Sequence, residues 1–535
     1  MSRRNDEFDA VVIGAGHNGL AAACYLADAG LDVSVLEAGS EIGGMTASGR
    51  PIPEAPNHVV NYCAVDLAFF PSCPVAKELE LHRYGLRTVP ADPAYVYLHP
   101  DGASLALWHD PKRTADEIRR FSEPDATAFL EYAEFLDALL DLALPVMSAH
   151  PIHPDFRAVT KVTRGAARHR KKLRKIGSFC FASGAEVIDC RFQHPVIRSA
   201  LYALGAGVGP IDAPGTSMTH LGLAFLHRTG FLRPVGGMQS VPDALANRLR
   251  AAGGRVLTSS PVAEILVSSN AVEGVRLTDG KCIRARHVIA TCDPGKALIE
   301  LLPVTALSPE MTSRAHQIPM NASGVGQMKV DLALSGRIGL SRHQRRRTDD
   351  LDLRVPSCLI GSPDNTNRSF RNSSAGLLPE AEDITIWAVV PTALDQSQAP
   401  DGQDTVYLYC PAVPLYPRAG WKECRGQAAE AIVARTAEYF PGIEELELGR
   451  WVETPEDMAQ RTNSTSACVL HVDFVLTRCG PLRPAAGFGG YSLPVRGLYL
   501  GGSGSHPGGG VTGMPGRLSA YEVIRAHQPR RLIRR

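Results

Sequence analysis

Near the start of the chain, hydrophobic and polar positions follow the order strand, turn, helix and strand. Residues 9–13 (DAVVI) form a short β-branched run that is long enough for a buried parallel strand. An alanine-rich stretch at residues 20–29 predicts a helix that ends at Gly30, and residues 32–36 predict a second strand. This order is typical of the first unit of an α/β domain with a parallel sheet.

The turn between the first strand and the helix carries a glycine pattern. Its residues are Gly14, Ala15, Gly16, His17, Asn18 and Gly19, which form a G-x-G-x-x-G sequence. The first glycine allows the tight turn, the second lets the backbone approach a pyrophosphate, and the third lets the helix pack on the strand. The phosphates would lie against free backbone N–H groups at the positive end of the helix. We therefore expect this turn to bind a dinucleotide.

An acid and a second pair of glycines follow the second strand. Glu37 stands about twenty residues after the glycine turn, where a carboxylate can hold the hydroxyl pair of a ribose. Gly43 and Gly44 then suit a second close approach of the backbone to phosphates. The predicted dinucleotide contacts of this segment are Glu37, Ala38, Gly43, Gly44, Met45 and Thr46.

Another glycine-rich stretch lies close to the C-terminal end. Residues 501–517 (GGSGSHPGGGVTGMPGR) follow a predicted strand at residues 497–500 and precede a helix that we expect to begin at Leu518. Backbone N–H groups with no side chains in the way, next to a helix N-terminus, form a cradle for the electron-rich edge of a ring. The predicted contacts here are Gly502, Gly510, Val511 and Thr512.

His506 lies within this cradle and is the candidate catalytic residue. Its imidazole can change charge near neutral pH, so it can accept a proton from a substrate or contact the substrate directly. A histidine before a proline in a glycine loop can instead brace the loop through hydrogen bonds. Both roles stay open at this point.

The stretches DAVVIGAGHNGL and LYLGGSGSHPGGGVTGMPGR together resemble the phytoene desaturase and carotenoid ketolase-like branch of the FAD-dependent amine oxidase superfamily. The similar order of elements covers nearly the whole chain. The resemblance implies that the dinucleotide is FAD, and no cysteine or histidine signal for covalent attachment is present, so we expect noncovalent binding. It also implies that the residue at Val262 meets the adenine through its backbone, and that the C-terminal cradle holds the N1–C2=O edge of the flavin.

The resemblance draws attention to two further stretches beside the flavin. His58, Asn61, Tyr62 and Asp66 lie where relatives pass close to the isoalloxazine ring, so one of them is a candidate to face the substrate. Cys468 stands where relatives usually have Asn in a Gly-Gly-Asn run, in a loop that faces the flavin in relatives. This departure bears on which reaction the protein catalyses and not on whether it binds flavin.

These patterns predict an α/β fold in which a Rossmann-type, glutathione reductase-like FAD-binding domain is interleaved with an α+β substrate domain. The FAD-binding domain would consist of residues 1–85, 231–320 and 451–535. The substrate domain would consist of a mainly helical part at residues 86–230 and a sheet at residues 321–450.

The composition excludes some classes of protein but does not indicate a substrate. At 535 residues with 44% hydrophobic and 21% charged positions, the chain is long enough for two or more globular domains. A net charge of +1 gives no reason to expect nucleic acid as a partner. The polar start of the sequence argues against a cleavable signal, and no apolar run approaches the length of a spanning helix. The twelve cysteines are scattered without zinc spacing, so we expect reduced thiols, a cytoplasmic location and no metal site.

One strongly basic run stands out from the nearly neutral charge of the whole chain. Residues 161–175 (KVTRGAARHRKKLRK) carry eight lysines and arginines and no acid. A solvated helix face explains such a run, and so does a patch that rests on anionic lipid at the mouth of a tunnel. The arginine-rich tail, with Arg525, Arg530, Arg531, Arg534 and Arg535, can add to this patch.

The resemblance implies a hydrophobic small-molecule substrate and leaves the reaction open. One hypothesis is an FAD-dependent desaturase or oxidase that acts on a long apolar polyene or isoprenoid in carotenoid-like biosynthesis. A second is an NADPH-supported reductive cyclase of a polyene polyketide in natural-product biosynthesis, and a third is a non-catalytic relative that binds flavin. An amine oxidase would need an aromatic pair facing the flavin, and the sequence shows no such pair near the C-terminal cradle.

Overall fold

The computed structural model describes residues 6–527, and two seven-stranded sheets organise them. The strands are β1 (Glu7–Ile13), β2 (Val33–Leu36), β3 (Ser48–Gly49), β4 (Val60–Asn61), β5 (Thr88–Ala91), β6 (Tyr95–Leu98), β7 (Ser104–Leu107), β8 (Phe231–Pro234), β9 (Arg255–Leu257), β10 (Val262–Ser268), β11 (Ala271–Leu277), β12 (Cys282–Ala290), β13 (Val325–Leu334), β14 (Ser357–Ile360), β15 (Ile386–Val389), β16 (Thr405–Pro414), β17 (Glu447–Glu453) and β18 (Leu498–Leu500).

The helices connect the strands and cover both sheets. They are α1 (His17–Asp28), α2 (Val75–Glu78), α3 (Pro111–Arg119), α4 (Glu123–Ser148), α5 (Phe156–Arg168), α6 (Leu173–Phe181), α7 (Gly184–Asp189), α8 (Pro195–Gly205), α9 (Leu221–Thr229), α10 (Ser240–Ala251), α11 (Pro309–His316), α12 (Ser341–Gln344), α13 (Pro363–Ser374), α14 (Trp421–Ala437), α15 (Ile443–Leu446), α16 (Pro455–Thr462) and α17 (Met514–His527).

The first sheet has the order β10-β11-β12-β1-β2-β9, and β18 also pairs with β12. Its central strands are parallel, so Val12 of β1 lies between Val35 of β2 and Ile289 of β12. These strands are apolar because helices cover the sheet, and α1, α10 and α17 share one core with them. The structure confirms the predicted first strand, helix and second strand and the FAD-type α/β architecture.

The second sheet has the order β17-β13-β16-β15-β14-β6-β7 and is mainly antiparallel. Helix α14 covers one face, while α4, α8 and α9 pack in a core with side chains of β6 and β7. Both faces are therefore buried, and all ten residues of β13 are buried. The sheet and its helices form a second core beside the first sheet, as the interleaved α+β part of the prediction requires.

The last helix begins earlier than the sequence predicts. We expected it to begin at Leu518, and it begins at Met514, because Pro515 is tolerated in a first helical turn. Its first turn therefore takes up the end of the predicted glycine cradle.

The strands of the first sheet come from three separate parts of the sequence, at residues 7–36, 255–290 and 498–500. The second sheet takes its strands from residues 95–107 and 325–453. We therefore propose the predicted division into interleaved domains, with one change. The boundary at residues 450 and 451 falls inside β17, so the last FAD-binding segment is better placed after Glu453.

Within residues 6–527, no helix combines the length and the apolar character that crossing a bilayer requires. The distal arginines predicted to add to the basic run, at positions 530, 531, 534 and 535, lie outside the described residues.

Helix α17 packs so closely on α1 that one glycine has no room for a side chain. A Cβ atom on Gly516 would lie 1.9 Å from the backbone oxygen of Asn18. We expect Gly516→Ala to lower the free energy of unfolding by about 1–3 kcal/mol, because overpacking forces the two helices apart. Chemical denaturation followed by circular dichroism measures this loss.

Gly426→Ala is the matched control, since Gly426 lies in α14 and a Cβ atom added to it would meet open space. Here alanine should stabilise the protein by about 0.5–1 kcal/mol through helix propensity. Equal effects of the two substitutions would contradict the packing argument.

Candidate functional site

A cavity of about 750 Å³ opens at the carboxyl ends of β1, β2 and β12. Ligands of open α/β sheets bind at this edge, because loops and helix N-termini converge there. The predicted contact residues that line the cavity are Gly14, Gly16, Asn18, Gly19, Glu37, Ala38, Gly44, Met45, Val262, Gly510 and Val511. Three segments that are far apart in the sequence therefore meet around one space.

Five other predicted contacts belong to the same loops but do not line the cavity. They are Ala15, Gly43, Thr46, Gly502 and Thr512. The Thr46 hydroxyl donates a hydrogen bond to the Gly43 carbonyl at 2.7 Å, and the Thr512 hydroxyl accepts one from the backbone of Met514. The two threonines therefore hold the glycine loops in shape.

The G-x-G-x-x-G turn has the geometry that its glycines predict. Gly14 has a φ of +100°, which L side chains rarely adopt, and a Cβ on Gly19 would lie 2.0 Å from the Gly14 oxygen. Gly16 precedes α1, and no side chain of the described residues caps that helix end. The first backbone N–H groups of α1 are therefore available to an anion, and their positive potential suits a pyrophosphate.

Glu37 braces the turn as well as facing the cavity. Its Oε2 accepts a hydrogen bond from the backbone N of Ala15 at 2.8 Å, and its Oε1 accepts one from Gly39 at 2.9 Å. An ionised carboxylate has about four acceptor positions, so two bonds to protein leave capacity for hydroxyl donors. The role of Glu37 as a ribose ligand stays a prediction that this geometry permits.

The fingerprint turn is joined directly to the C-terminal glycine loop. The His17 Nε2 donates to the carbonyl oxygen of Gly510 at 3.2 Å, and Asn18 Nδ2 donates to the Ser503 hydroxyl at 3.2 Å. Burial lowers the pKa of His17 to about 4, so its ring is neutral at pH 7. The sequence assigns His17 no role, because it occupies a variable position of the fingerprint.

The residues present fit a bound FAD. The buried Oδ1 of Asn18 and the buried Nδ1 of His471 have no hydrogen-bond partner among the described residues. Both residues line the cavity, so a ligand rich in hydroxyl and ring nitrogen groups can satisfy them. Gly16 and Gly44 face each other with their backbones exposed to the same space, where larger side chains would fill it.

Further polar side chains line the cavity, and sequence reasoning gave them no role there. Among them are Asp293, Lys296, Arg461 and His471. Asp293 accepts hydrogen bonds from the backbone N of Lys296 at 3.0 Å and from that of Thr465 at 2.9 Å. Its position shortly after the end of β12 was the available signal, because the carboxyl ends of parallel strands meet at the site.

A buried charge pair lies behind the cavity wall. Lys329 of β13 is fully buried, and its Nζ donates to Asp331 Oδ1 at 3.1 Å and to the carbonyl of Asn61. Burial lowers the pKa of Lys329 and raises the pKa of Asp331 to about 7. The signal in the sequence was two opposite charges at alternate positions of an apolar strand, which places both on one face.

Of the four residues predicted to pass near the ring, the structure places Tyr62 in the cavity wall. His58 donates to the carbonyl of Leu334 at 3.3 Å, and Asp66 is paired with Arg233 at 2.8 Å. Asn61 accepts a hydrogen bond from the backbone of Met238, so it joins separate segments. Three of these four positions therefore have structural partners, and Tyr62 is the candidate to meet a ligand.

His506 is not among the residues that line the cavity. Its Nε2 donates to the carbonyl oxygen of Val146 at 3.0 Å, near the end of α4, and its side chain is buried. Burial lowers its pKa to about 4. The geometry is that of the bracing role, and the acid–base role predicted for His506 has no support from its placement.

The loop that contains Cys468 reaches the cavity through its neighbours. Val469, Leu470 and His471 line the space, whereas the Cys468 thiol is buried behind them. Arg483 holds this loop: its guanidinium donates to the carbonyls of Leu470 at 2.9 Å and of Ser503 at 3.0 Å. Burial lowers the pKa of Arg483 to about 10, and it still carries a positive charge at neutral pH.

The fold and the cavity together define an α/β protein that binds a dinucleotide at the carboxyl edge of a parallel sheet. Residues 19–369 match the family described as flavin containing amine oxidoreductase, and the chain belongs to this family. It is accordingly an FAD-dependent oxidoreductase, which confirms the predicted cofactor and enzyme class.

Several relatives are similar over nearly their whole length. Pyridine nucleotide-disulfide oxidoreductase domain-containing protein 2 of Mus musculus is 29% identical over 98% of this chain and 94% of its own. A limonene dehydrogenase subunit of Castellaniella defragrans is 26% identical over 94% and 92%, respectively. The zeta-carotene-forming phytoene desaturase of Myxococcus xanthus is 26% identical over 96% and 92%.

Solved structures show the same fold. An oxidoreductase from Methanosarcina mazei superposes with a TM-score of 0.61 at 17% identity and covers 96% of this chain and 99% of its own. Cyclohexylamine oxidase from Brevibacterium oxydans has a TM-score of 0.57 at 16% identity, with coverage of 97% and 99%. At these identities the likeness concerns the fold alone.

Replacement of Glu37 tests the ribose and turn contacts together. We expect Glu37→Ala to weaken FAD binding by about 1.5–3 kcal/mol, roughly tenfold to a hundredfold in Kd, because a charged acceptor is lost. Fluorescence titration of the apoprotein with FAD measures the change. Glu273→Ala, an exposed position on β11 of the same sheet, is the control and should bind as wild type. Full FAD affinity in Glu37→Ala would count against this assignment.

Because the pKa of His506 is lowered in the folded protein, we expect the free energy of unfolding to depend on pH. Its pKa is about 4 in the folded protein, whereas an exposed histidine has a pKa of about 6.5, so the unfolded chain binds more protons between these values. The neutral His506 therefore contributes fully to the free energy of unfolding above about pH 6.5. This contribution is lost as the pH falls toward 4, and the free energy of unfolding is lower by about 2 kcal/mol at pH 5.

We expect His506→Gln to show a shallower loss of stability than wild type between pH 7 and pH 5, measured by urea denaturation. The exposed His82 provides the control, since His82→Gln should leave the slope unchanged. An identical slope in wild type and His506→Gln would contradict the buried, neutral imidazole.

Proposed function

We propose that the protein binds FAD noncovalently in the 750 Å³ cavity and oxidises a long apolar polyene or isoprenoid, as a desaturase or oxidase. The observation that carries this proposal is that the cavity lining includes the apolar side chains of Met45, Ala64, Val469 and Leu470 as well as Tyr62. A wall of this kind suits a substrate without charged groups, because it offers contact area and few polar partners. Two relatives are named as a limonene dehydrogenase subunit and a phytoene desaturase, and limonene and phytoene are hydrocarbons.

The residues of this chain would bind and orient the cofactor. The N-terminus of α1 would hold the pyrophosphate, Glu37 the adenosine ribose, and the backbone of Val262 the adenine. When bound, FAD supplies the hydride chemistry, and the protein supplies orientation and electrostatics. The glycine loop around Gly510 would face the ring edge with backbone groups alone.

The arrangement of charges supports this division of roles. Arg483 keeps a buried positive charge between the loop at residues 470–472 and the carbonyl of Ser503. Because Leu470 and Ser503 line the cavity, this fixed positive charge lies beside it and favours negative charge on a ligand placed there. We include Arg483 among the residues that prepare the site, as a positioning residue for the two loops.

Membership of the flavin containing amine oxidoreductase family does not identify the substrate. Among the residues that line the cavity, Tyr62 is the one Phe, Tyr or Trp, so the described wall lacks the aromatic pair that an amine oxidase would need. The intact fingerprint and the unpartnered polar atoms of the cavity also favour a flavin-binding enzyme over a non-catalytic relative.

The direction of electron transfer separates the desaturase from the NADPH-supported reductive cyclase. We expect the purified protein to show flavin absorption that NADPH leaves unchanged under anaerobic conditions, because electrons would arrive from the hydrocarbon substrate. A visible spectrum before and after NADPH measures this. Bleaching by NADPH would favour the cyclase, and a colourless protein that does not take up added FAD would refute the proposal.

A further inference from the structure

One surface of the helical region combines exposed aromatic side chains with the basic run. Phe156 at the start of α5 is 82% exposed, and Phe181 at the end of α6 is 72% exposed. Large apolar side chains with this exposure lose their unfavourable contact with water only when another surface covers them. The residues around them indicate what that surface is.

Helix α5 carries two parallel rows of side chains. Arg157, Lys161, Arg164 and Arg168 are spaced so that they follow one line along the helix, and all four are exposed. Phe156, Val159, Thr163 and Ala167 follow a second line beside the first. The opposite side, at Gly165, packs against Leu142 and Asp141 of α4. The helix is therefore anchored on one side and presents a basic row and an apolar row to solvent.

Further exposed apolar side chains lie just before α5, at the end of α6 and on the segment at residues 474–482 that packs near them. Gly215 donates its backbone N–H to the carbonyl of Phe181 at 3.2 Å, and the same glycine packs against Leu476. Ile152 lines a small pocket together with Pro481. We call the resulting surface the apolar collar; its exposed members are Val146, Ile152, Phe156, Val159, Leu173, Phe181, Phe474, Val475 and Leu482.

The charge of this surface is unbalanced. Residues 151–181 contain nine lysines and arginines and a single acid, in a chain whose net charge is +1. Within residues 6–527, Arg168 pairs with Asp141 at 3.5 Å and Lys172 pairs with Glu134 at 2.6 Å. The other seven have no ion pair within the part of the chain that the structure describes, namely Arg157, Lys161, Arg164, Arg170, Lys171, Arg174 and Lys175. Most of the positive charge is thus available to an anionic surface.

We propose that the apolar collar and the basic row of α5 dock on an anionic lipid bilayer, with the protein lying on the membrane and not crossing it. Apolar side chains gain by entering the boundary between headgroups and acyl chains, while lysines and arginines beside them meet anionic headgroups. The collar adjoins the flavin-binding half of the protein, because Val146 accepts the hydrogen bond of His506 in the glycine loop. This inference goes beyond the proposed function and does not depend on the substrate.

Cosedimentation of the full-length flavoprotein with vesicles tests the proposal. Wild type should bind vesicles of equal parts phosphatidylglycerol and phosphatidylcholine at least about tenfold more tightly than pure phosphatidylcholine vesicles, with binding that weakens as salt is added. R157Q/K161Q/R164Q/R168Q should reduce this binding about tenfold or more. F156S/F181S should also reduce it, and because both side chains are exposed, its flavin spectrum and thermal unfolding should match wild type.

Matched controls remove the same number of charges and the same number of exposed apolar side chains elsewhere on the surface. K77Q/K112Q/R371Q/K422Q removes four exposed charges, and V304S/Y416S removes two exposed apolar side chains. Both controls should bind vesicles as wild type. Collar variants that bind as well as wild type would overturn the proposal. The proposal would also be overturned if the wild-type protein did not bind vesicles but formed a dimer, and if the collar substitutions dissociated that dimer. The partner of the collar would then be a second copy of the chain. Because vesicle binding is measured without turnover, its failure would leave the proposed reaction untouched.

Discussion

Backbone-to-backbone contact at a few glycines is the constraint on which the flavin-binding half depends. A Cβ on Gly19 would meet the oxygen of Gly14, one on Gly502 would meet the oxygen of Thr291, and one on Gly516 would meet the oxygen of Asn18. The first contact packs α1 on the fingerprint turn, the second packs the C-terminal loop on the end of β12, and the third packs α17 on α1. Because there is no space for side chains, the first turn, the end of β12 and the C-terminal segment approach closely enough to enclose one cavity.

Buried polar contacts then give that close packing a single arrangement. His17 and Asn18 join the fingerprint turn to the C-terminal loop, and Arg483 joins that loop to the segment with Cys468. A buried polar group without a partner costs free energy, so each of these bonds disfavours other placements of the loops. The same requirement explains why unpartnered atoms of Asn18 and His471 point to a ligand.

The two halves of the molecule contribute different things to function. The parallel sheet supplies a helix end, an acid and backbone groups for a dinucleotide, and these can be assigned from general chemistry. The second sheet supplies the buried Lys329–Asp331 pair, and the helical region packed on it supplies most members of the exposed collar.

The sequence by itself determined the elements whose conformation is local. The fingerprint turn, Glu37 and the first strand–helix–strand unit all follow from glycine conformation and residue periodicity within short windows. The tertiary structure alone decided which distant residues meet. Asp293, Arg461 and His471 reach the cavity, and His506 turns to the carbonyl of Val146, because of contacts between residues up to hundreds of positions apart. The spacing of residues within short stretches of sequence does not predict such contacts, since they arise from the packing of whole helices and strands against one another.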